Sequence, residues 1–123
     1  MNRKKILLVD DSSTVILMEK MILRNEPYDL VVARDGREGV ERAIAERPDL
    51  ILMDLVMPHM TGLEAVRSLR AHEATRETPI IMVTTRGEAV NVEKGYASGC
   101  TDYLTKPIDA LELITKLRDQ LGE

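Results

Sequence analysis

Short apolar runs alternate with amphipathic segments along the whole of the 123-residue chain. The runs have the length and composition of buried strands; the predicted strands are Lys5 to Asp10, Tyr28 to Ala33, Leu50 to Asp54, Ile80 to Thr84 and Asp102 to Thr105. Four of the segments that follow them space apolar residues as amphipathic helices do; the predicted stripes are Val15, Met18 and Ile22, then Val40 and Ile44, then Leu63, Val66 and Leu69, and finally Leu111, Ile114, Leu117 and Leu121. Because parallel strands need crossover segments, the alternation predicts an α/β fold whose parallel sheet carries helices on both faces.

The composition of the strands predicts their order in the sheet. Strands one, three and four contain ILLV, LILM and IIMV, which are apolar throughout, as strands covered on both faces are. Strands two and five, YDLVVA and DYLT, include polar residues and suit the edges. With right-handed crossovers, this predicts the order 2-1-3-4-5 of a flavodoxin-like (βα)5 fold. In such sheets ligands bind beyond the carboxyl ends of the strands, where the winding reverses between strands one and three.

Length, charge and cysteine content narrow the class of protein. No linker, repeat or low-complexity stretch interrupts the pattern, so residues 1–123 are predicted to form a single domain. A net charge of -4, dispersed basic residues and a scarcity of aromatic side chains argue against direct binding of nucleic acid or of an anionic membrane. The single Cys100 cannot form an internal disulfide, and the first apolar run is too short to span a membrane, so we expect a cytoplasmic protein.

Polar groups stand at four of the predicted strand ends. Asp10 and Asp11 end strand one, Asp54 ends strand three, Thr84 ends strand four, and Lys106 follows strand five. Because the carboxyl ends of parallel strands meet at one edge, these side chains are predicted to lie together. Two charges 4 Å apart repel each other by roughly 4 kcal/mol at an effective dielectric of about 20, so three carboxylates need a cation. Hard oxygen ligands favour Mg²⁺ or Ca²⁺, and Mg²⁺ commonly binds together with phosphate oxygens, which indicates phosphoryl chemistry.

Each of these residues also has a purely structural explanation. Asp11 could cap the first helix, although the serines that follow it could do so equally well. Thr84 is an ordinary strand residue, and Lys106 could be a solvated loop charge. Asp54 is different, because Thr61 is placed to cap the next helix and leaves Asp54 without that duty.

With these residues in place, the sequence closely resembles the receiver domains of bacterial two-component response regulators over residues 4–121. The resemblance rests on ILLVDDS, on DLVMPHMTGLE from residue 54, on IIMVTT in strand four and on DYLTKP from residue 102. Each motif is moderately specific, whereas all four in this order and spacing are very specific. The resemblance implies a phosphorylation-activated switch rather than an enzyme. It implies that a sensor histidine kinase or a histidine phosphotransfer protein donates the phosphoryl group, with Mg²⁺ as cofactor.

The resemblance also implies roles for the residues at the strand ends. Asp54 is the expected phosphoacceptor, and Lys106 is expected to pair first with Asp54 and then with the phosphoryl oxygens. Asp11, Asp54 and the backbone carbonyl of Val56 are the expected direct ligands of Mg²⁺. Asp10 is expected to act through a metal-bound water.

The resemblance further implies how phosphorylation changes the surface. Thr84 is expected to hydrogen-bond the phosphoryl group, Tyr103 to rotate into the space that Thr84 leaves, and the Lys106–Pro107 bond to be cis. The face made by helix four, strand five and helix five is then expected to bind a downstream protein. The chain itself is expected to be a monomer or a weak phosphorylation-dependent dimer.

The fourth helical segment, EAVNVEKGYASG, looks like the weakest element from its residues alone. Its apolar stripe is thin, with Ala89, Val92 and Tyr96, and Gly95 inside it costs about 1 kcal/mol relative to alanine. We therefore expect this helix to be the least stable one.

Three residues depart from the commonest pattern of the family. Val56 is apolar where many relatives carry a polar side chain, Thr85 stands where a smaller residue is frequent, and Arg86 is large and cationic. Together they suggest restricted access of water to the phosphoryl group. The hypothesis that follows is a long-lived aspartyl phosphate.

Three other functions deserve comparison. One alternative that the sequence leaves in place is a receiver-like module that acts through binding alone, without phosphorylation. A small Mg²⁺-dependent phosphatase with an Asp nucleophile needs a second acid two residues later on the first strand, where this chain has Ser12, and a cap that the chain is too short to supply. A flavin carrier of the same topology is disfavoured, because acids after the first strand would repel the flavin phosphate.

Overall fold

The computed structural model describes residues 3–85 and 89–123, with the backbone alone for residue 85 and residues 89–92. The strands are β1 (Lys4–Val9), β2 (Tyr28–Ala33), β3 (Leu50–Asp54), β4 (Ile80–Thr85) and β5 (Asp102–Lys106). The helices are α1 (Ser13–Leu23), α2 (Gly36–Glu46), α3 (Gly62–Ala71), α4 (Ala89–Ser98) and α5 (Ala110–Leu121), with a short 3-10 turn at Glu73–Thr75. Within the described ranges, no helix has the length and apolar character needed to cross a membrane.

The five strands form one parallel sheet in the order 2-1-3-4-5, as the sequence predicts. The most apolar strands, β1, β3 and β4, lie inside the sheet, and β2 and β5 form its edges. The register pairs Asp54 with Val83, and Thr85 with Lys106. The ends of β3, β4 and β5 therefore meet at one edge of the sheet.

Successive side chains point to opposite faces of the sheet, and each face has its own core. One core packs under α2 and α3 and includes Leu7, Met53, Ala43, Val66, Leu69 and Met82. The other packs under α1 and α5 and includes Leu8, Leu52, Leu104, Ile16, Leu23, Leu113 and Leu117. Both cores are largely aliphatic, as the scarcity of aromatic residues requires, and the methionines lie in the core under α2 and α3.

The sequence predicts three helix starts from a capping residue with an acid three positions later: Asp35 with Glu38, Thr61 with Glu64, and Asp109 with Glu112. Side-chain caps start the helices at these places. Asp35 and Asp109 each accept a hydrogen bond from a backbone N–H three residues later, at the starts of α2 and α5. At the start of α3, Thr61 and Glu64 satisfy each other's backbone N–H groups in a capping box. The cap of α1 is Ser12, whose Oγ accepts from the Val15 N–H at 3.3 Å. The structural explanation for Asp11 as a helix cap is therefore wrong.

The predicted stripe of α1 is partly wrong: Val15 and Ile22 are half-buried at its border. The buried residues are Ile16, Glu19 and Leu23, whereas Met18 is 40% exposed. The sequence STVILMEKMIL is apolar on nearly every side of the helix, so periodicity alone cannot select a face. Packing between the sheet and α5 selects it instead.

The stripe of α5 is also partly wrong. Leu117 is buried as predicted, but Leu113 takes the place expected for Leu111, which is 74% exposed. Residues two positions apart lie on different sides of a helix, so burying Leu113 turns Leu111 toward solvent. In α2 the predicted Val40 is only half-buried, because the smaller Gly39 and Ala43 lie closer to the sheet. Val66 and Leu69 of α3 are buried as predicted.

Helix α4 differs from its predicted stripe in the part that can be compared. The side chains of Ala89 and Val92 lie outside the described residues, and Tyr96 is 45% exposed. Gly95 is buried, and a Cβ at this position would lie 3.3 Å from the Sγ of Cys100. The glycine therefore allows α4 to pack closely against the start of β5, in addition to weakening the helix.

Candidate functional site

Three carboxylate groups meet at the carboxyl edge of the sheet. Each of Asp10, Asp11 and Asp54 offers an oxygen, and these oxygens lie within 4.8 Å of one another. Asp10 and Asp54 are 1% and 5% exposed, whereas Asp11 is exposed. The structure therefore brings together the three acids that the sequence places at the ends of strands one and three.

Asp10 is held by the chain on both sides. Its N–H donates to the carbonyl of Ala33 at 3.1 Å, and its Oδ1 accepts from the Ser12 N–H at 2.9 Å. Its Oδ2 is buried and accepts no hydrogen bond from the described residues. A buried carboxylate oxygen without a hydrogen-bond donor is costly, so the ammonium of Lys106, 3.4 Å away, offsets this cost in part and a bound cation would offset it further.

Lys106 is the cationic group of the site. It ends β5, and the Lys106–Pro107 bond that follows is cis, as predicted. Its Nζ lies 3.1 Å from Asp54 Oδ1 and 3.4 Å from Asp10 Oδ2. Burial lowers the pKa of Lys106, but the hydrogen bond and charge of Asp54 and the charge of Asp10 outweigh it, so this pKa lies above its ordinary value. Lys106 is therefore charged at neutral pH.

Asp54 is a carboxylate with limited access to water. Burial and the neighbouring charge of Asp10 raise its pKa to about 6, against the opposing effect of Lys106. At pH 7 to 8 the group is ionised, but its charge is poorly solvated. A carboxylate in this state is a better nucleophile than one on the open surface.

The loop after β3 fixes the backbone around Asp54. The Leu55 N–H donates to the carbonyl of Val83 at 3.0 Å, and the Gly62 N–H donates to the carbonyl of Leu55 at 2.8 Å. A Cβ on Gly62 would overlap the backbone oxygen of Asp54, so only glycine lets α3 begin this close to the site. Val56 lies between these anchors and is 69% exposed.

The remaining predicted residues lie on β4 and β5. Thr84 is buried near the end of β4. Tyr103 is half-buried on β5, three residues before Lys106 and opposite Met82 in the sheet register. Arg86 lies outside the described residues, as does the side chain of Thr85.

Glu19 is a fourth carboxyl group that sequence reasoning missed. It lies on the buried face of α1, is 2% exposed, and its Oε1 has no hydrogen-bond partner among the described residues. Burial and the charge of Asp10 raise its pKa to about 8, with Lys106 opposing them. Its spacing in the sequence could have indicated that it is buried, because it lies three residues after Ile16 and four before Leu23. It was missed because a search for apolar stripes passes over a charged residue.

Comparison with known proteins agrees with this geometry. The family model for the response regulator receiver domain matches residues 6–118. This chain belongs to the response regulator receiver domain family. The DNA-binding response regulator MtrA of Mycobacterium tuberculosis is 38% identical over 119 residues, which are 97% of this chain and 51% of MtrA. The chain thus spans about half the length of the curated relatives it matches.

Solved structures of receiver domains share the fold. The chemotaxis protein CheY4 of Vibrio cholerae is 36% identical, with a TM-score of 0.91 over 98% of this chain and 100% of that one. The receiver domain of the sensor histidine kinase PA1611 of Pseudomonas aeruginosa is 34% identical, with a TM-score of 0.91 over 99% of this chain and 100% of that one. In that structure a magnesium ion is coordinated in the active site cleft.

The residues of this chain fit such an ion. The cluster of Asp10, Asp11 and Asp54 supplies the hard oxygen ligands that Mg²⁺ prefers. The Oδ2 of Asp10 pairs with Lys106 but accepts no hydrogen bond from the described residues, and Asp11 is exposed, so both carboxylates keep lone pairs for a hydrated cation.

Proposed function

We propose that the chain is a phosphorylation-activated switch in which Asp54 accepts a phosphoryl group from a phosphohistidine. The donor is a sensor histidine kinase or a histidine phosphotransfer protein. One observation carries the proposal: a buried, ionised Asp54 lies 3.1 Å from Lys106 and within reach of two further carboxylates at the edge where such sheets bind ligands.

The carboxyl edge of the sheet supplies the nucleophile and a cationic side chain for the transfer. A carboxylate oxygen of Asp54 attacks the phosphorus, and the P–N bond of the phosphohistidine breaks, with its electron pair passing to the imidazole nitrogen. An acyl phosphate remains on Asp54. Lys106, already 3.1 Å from the acceptor oxygen, neutralises the negative charge that gathers on the phosphoryl oxygens.

Asp11, Asp54 and the carbonyl of Val56 would hold Mg²⁺ directly, and Asp10 would hold it through a water. When bound, the ion supplies positive charge against the phosphoryl oxygens and the three carboxylates. Asp10 remains fixed by the Ser12 N–H throughout, so it keeps its place as the charge on Asp54 changes.

The output follows from the roles proposed for Thr84 and Tyr103. A phosphoryl group adds about two negative charges at Asp54, and Thr84 turns to hydrogen-bond it. Tyr103 then moves, which changes the face formed by α4, β5 and α5 and the affinity of that face for a protein partner. The absence of direct nucleic-acid binding stays a prediction for residues 1–123 alone, since MtrA is a DNA-binding regulator about twice as long.

The alternative functions differ in their requirements. The phosphatase needs an acid at position 12, and Ser12 instead caps α1, so this position serves the helix. The phosphorylation-independent module needs no chemistry from Asp54, and its discrimination from the switch is experimental.

Mass spectrometry after incubation with acetyl phosphate and Mg²⁺ tests the proposal. We expect the mass of one phosphate on the wild type and on Asp29→Asn, a control at an exposed aspartate, and none on Asp54→Asn. Phosphorylation should slow at low pH as Asp54 gains its proton, and because Mg²⁺ favours the ionised carboxylate, the fall should lie below the pKa of about 6 of the metal-free group. A wild-type chain that no small-molecule or protein donor phosphorylates would favour the binding module.

The lifetime of the phosphoryl group is a separate proposal. Val56 stands 69% exposed beside the site and offers no polar group to an attacking water. We expect the aspartyl phosphate of Val56→Asn to decay faster than that of the wild type. Decay rates measured after removal of the donor check this, and an unchanged or slower decay contradicts it.

A further inference from the structure

Four side chains form a connected group at the open edge of β5, which we call the Tyr103 cluster: Tyr96, Asp102, Tyr103 and Lys116. The Nζ of Lys116 donates to the backbone carbonyl of Tyr103 at 2.7 Å and to Asp102 Oδ1 at 3.1 Å. The same ammonium lies 4.9 Å from the centroid of the Tyr103 ring. Lys116 therefore contacts both the backbone and the ring of Tyr103.

Tyr96 also contacts the ring of Tyr103. The Tyr96 and Tyr103 rings meet edge to face, with their centroids 6.1 Å apart and their planes at 89°. The hydroxyl of Tyr96 donates to Asp102 Oδ1 at 3.4 Å, and the Tyr103 N–H donates to the same oxygen at 2.8 Å. Asp102 is thus the common acceptor that holds the cluster together.

The side chain of Lys116 extends from one face of the sheet to a residue whose ring lies on the other face. It belongs to α5, which packs on the same sheet face as Leu104, whereas the Tyr103 ring packs against the core on the opposite face. Lys116 reaches its target around β5, the edge strand of the sheet. Both backbone groups of Tyr103 are then bonded to side chains, which also protects this edge from pairing with another strand.

We propose that Lys116 is a positioning residue for Tyr103: anchored by Asp102, its ammonium restrains the Tyr103 ring, together with the contact from Tyr96. The cation–π contact with Lys116 and the edge-to-face contact with Tyr96 both favour the observed orientation of the Tyr103 ring over orientations that break these contacts. The functional meaning of this restraint rests on the proposed function, in which phosphorylation moves Tyr103. The strength of the restraint then sets how easily the unphosphorylated protein reaches the activated arrangement.

Nuclear magnetic resonance of the full chain with labelled tyrosine tests the restraint directly. Three-bond couplings report the side-chain rotamers of Tyr103, and its signals are assigned with Tyr103→Phe. In Lys116→Met, which keeps the stem and removes the charge, we expect the ratio of the other rotamers to the observed one to rise about fivefold. Lys116→Arg keeps a cation and should retain the wild-type ratio.

Two further variants serve as controls. Lys20→Met removes a charge from the exposed side of α1 and should leave Tyr103 unchanged. Asp102→Asn weakens the anchor and should shift the rotamers in the same direction as Lys116→Met, which keeps the test decisive if the latter does not fold. An unchanged rotamer ratio in both Lys116→Met and Asp102→Asn, or equal shifts in Lys116→Met and Lys116→Arg, would overturn the proposal.

Acetyl phosphate separates this proposal from the proposed function. In the phosphorylated wild type, the Tyr103 rotamers should change and the magnetisation transfer between Lys116 and the ring should disappear. Phosphorylation that leaves the Tyr103 rotamers as they were would refute the link between the restraint and the switch. Failure of any donor to phosphorylate the chain would refute the switch, and the rotamers of the unphosphorylated variants would still decide the role of Lys116.

Discussion

The two ends of the sheet differ in how deeply their charged side chains are buried. At the amino end, Arg3 and Asp29 pair at 2.9 Å with both side chains more than half exposed. At the carboxyl end, Asp10 and Asp54 are almost wholly buried beside Lys106, and Glu19 is buried too, with its pKa raised by that burial and by the charges of the two aspartates. Exposed pairs form and break at little cost, whereas buried like charges oppose folding. The carboxyl end is therefore the end at which the fold holds carboxylates that do not stabilise it.

The largest expected effect is on the pH dependence of stability, and it comes from Glu19. Its pKa is about 8 in the folded protein and the ordinary 4.5 in the unfolded chain. Between these values the folded state binds more protons, so the free energy of unfolding falls as the pH rises. Asp54, with a pKa of about 6, adds to this fall from its ordinary 3.8 upward. Chemical denaturation without Mg²⁺ should show a loss of roughly 5 kcal/mol between pH 5 and pH 8, most of it from Glu19.

Glu19→Gln isolates the contribution of Glu19 to this loss. The amide cannot ionise, so the variant should be more stable than the wild type at pH 8 by roughly 3 to 4 kcal/mol and nearly equal to it at pH 5. Parallel stability curves for the two proteins across this range would show that Glu19 does not carry a buried charge.

The next effect concerns the proposed acceptor itself. Asp54→Asn removes a charge that Asp10 repels and that burial disfavours, at the cost of the pair with Lys106. We expect a gain of about 1 kcal/mol in the free energy of unfolding at pH 7.5, together with complete loss of phosphorylation. Denaturant titration without Mg²⁺ measures the gain, and a destabilised variant would mean that the pair with Lys106 outweighs the repulsion.

The two adjacent acids of the site should contribute unequally to cation binding. Asp11 is exposed and proposed as a direct ligand, whereas Asp10 is buried and proposed to act through water. Asp11→Asn should therefore weaken Mg²⁺ binding about tenfold more than Asp10→Asn. Calorimetric titration with Mg²⁺ compares the two variants, and equal losses would count against this division of roles.

The smallest effect is expected at the amino end of the sheet. Asp29→Asn breaks the exposed pair with Arg3, and it should change the free energy of unfolding by about 0.5 kcal/mol or less. Its pH dependence should match that of the wild type. A loss as large as the effects at the carboxyl end would remove the contrast between the two ends.

The sequence predicts the sheet and most of the site for a local reason. Strand composition separates the inner strands from the edge strands, and parallel strands bring the residues at their ends to one edge. Asp10, Asp11, Asp54 and Lys106 therefore fall together without any knowledge of packing. The capping residues of α2, α3 and α5 are predicted equally well, because each cap involves neighbours in the chain.

Only the tertiary structure decides which way an ambiguous helix faces and how far a long side chain reaches. Helix α1 is apolar on nearly every side, so its packing, and not its period, buries Glu19 beneath the site. Likewise, Lys116 reads as a solvated charge on α5, and its contact with Tyr103 depends on a path around the edge of β5. Periodicity describes one element at a time, whereas both of these contacts join elements that are distant in the chain.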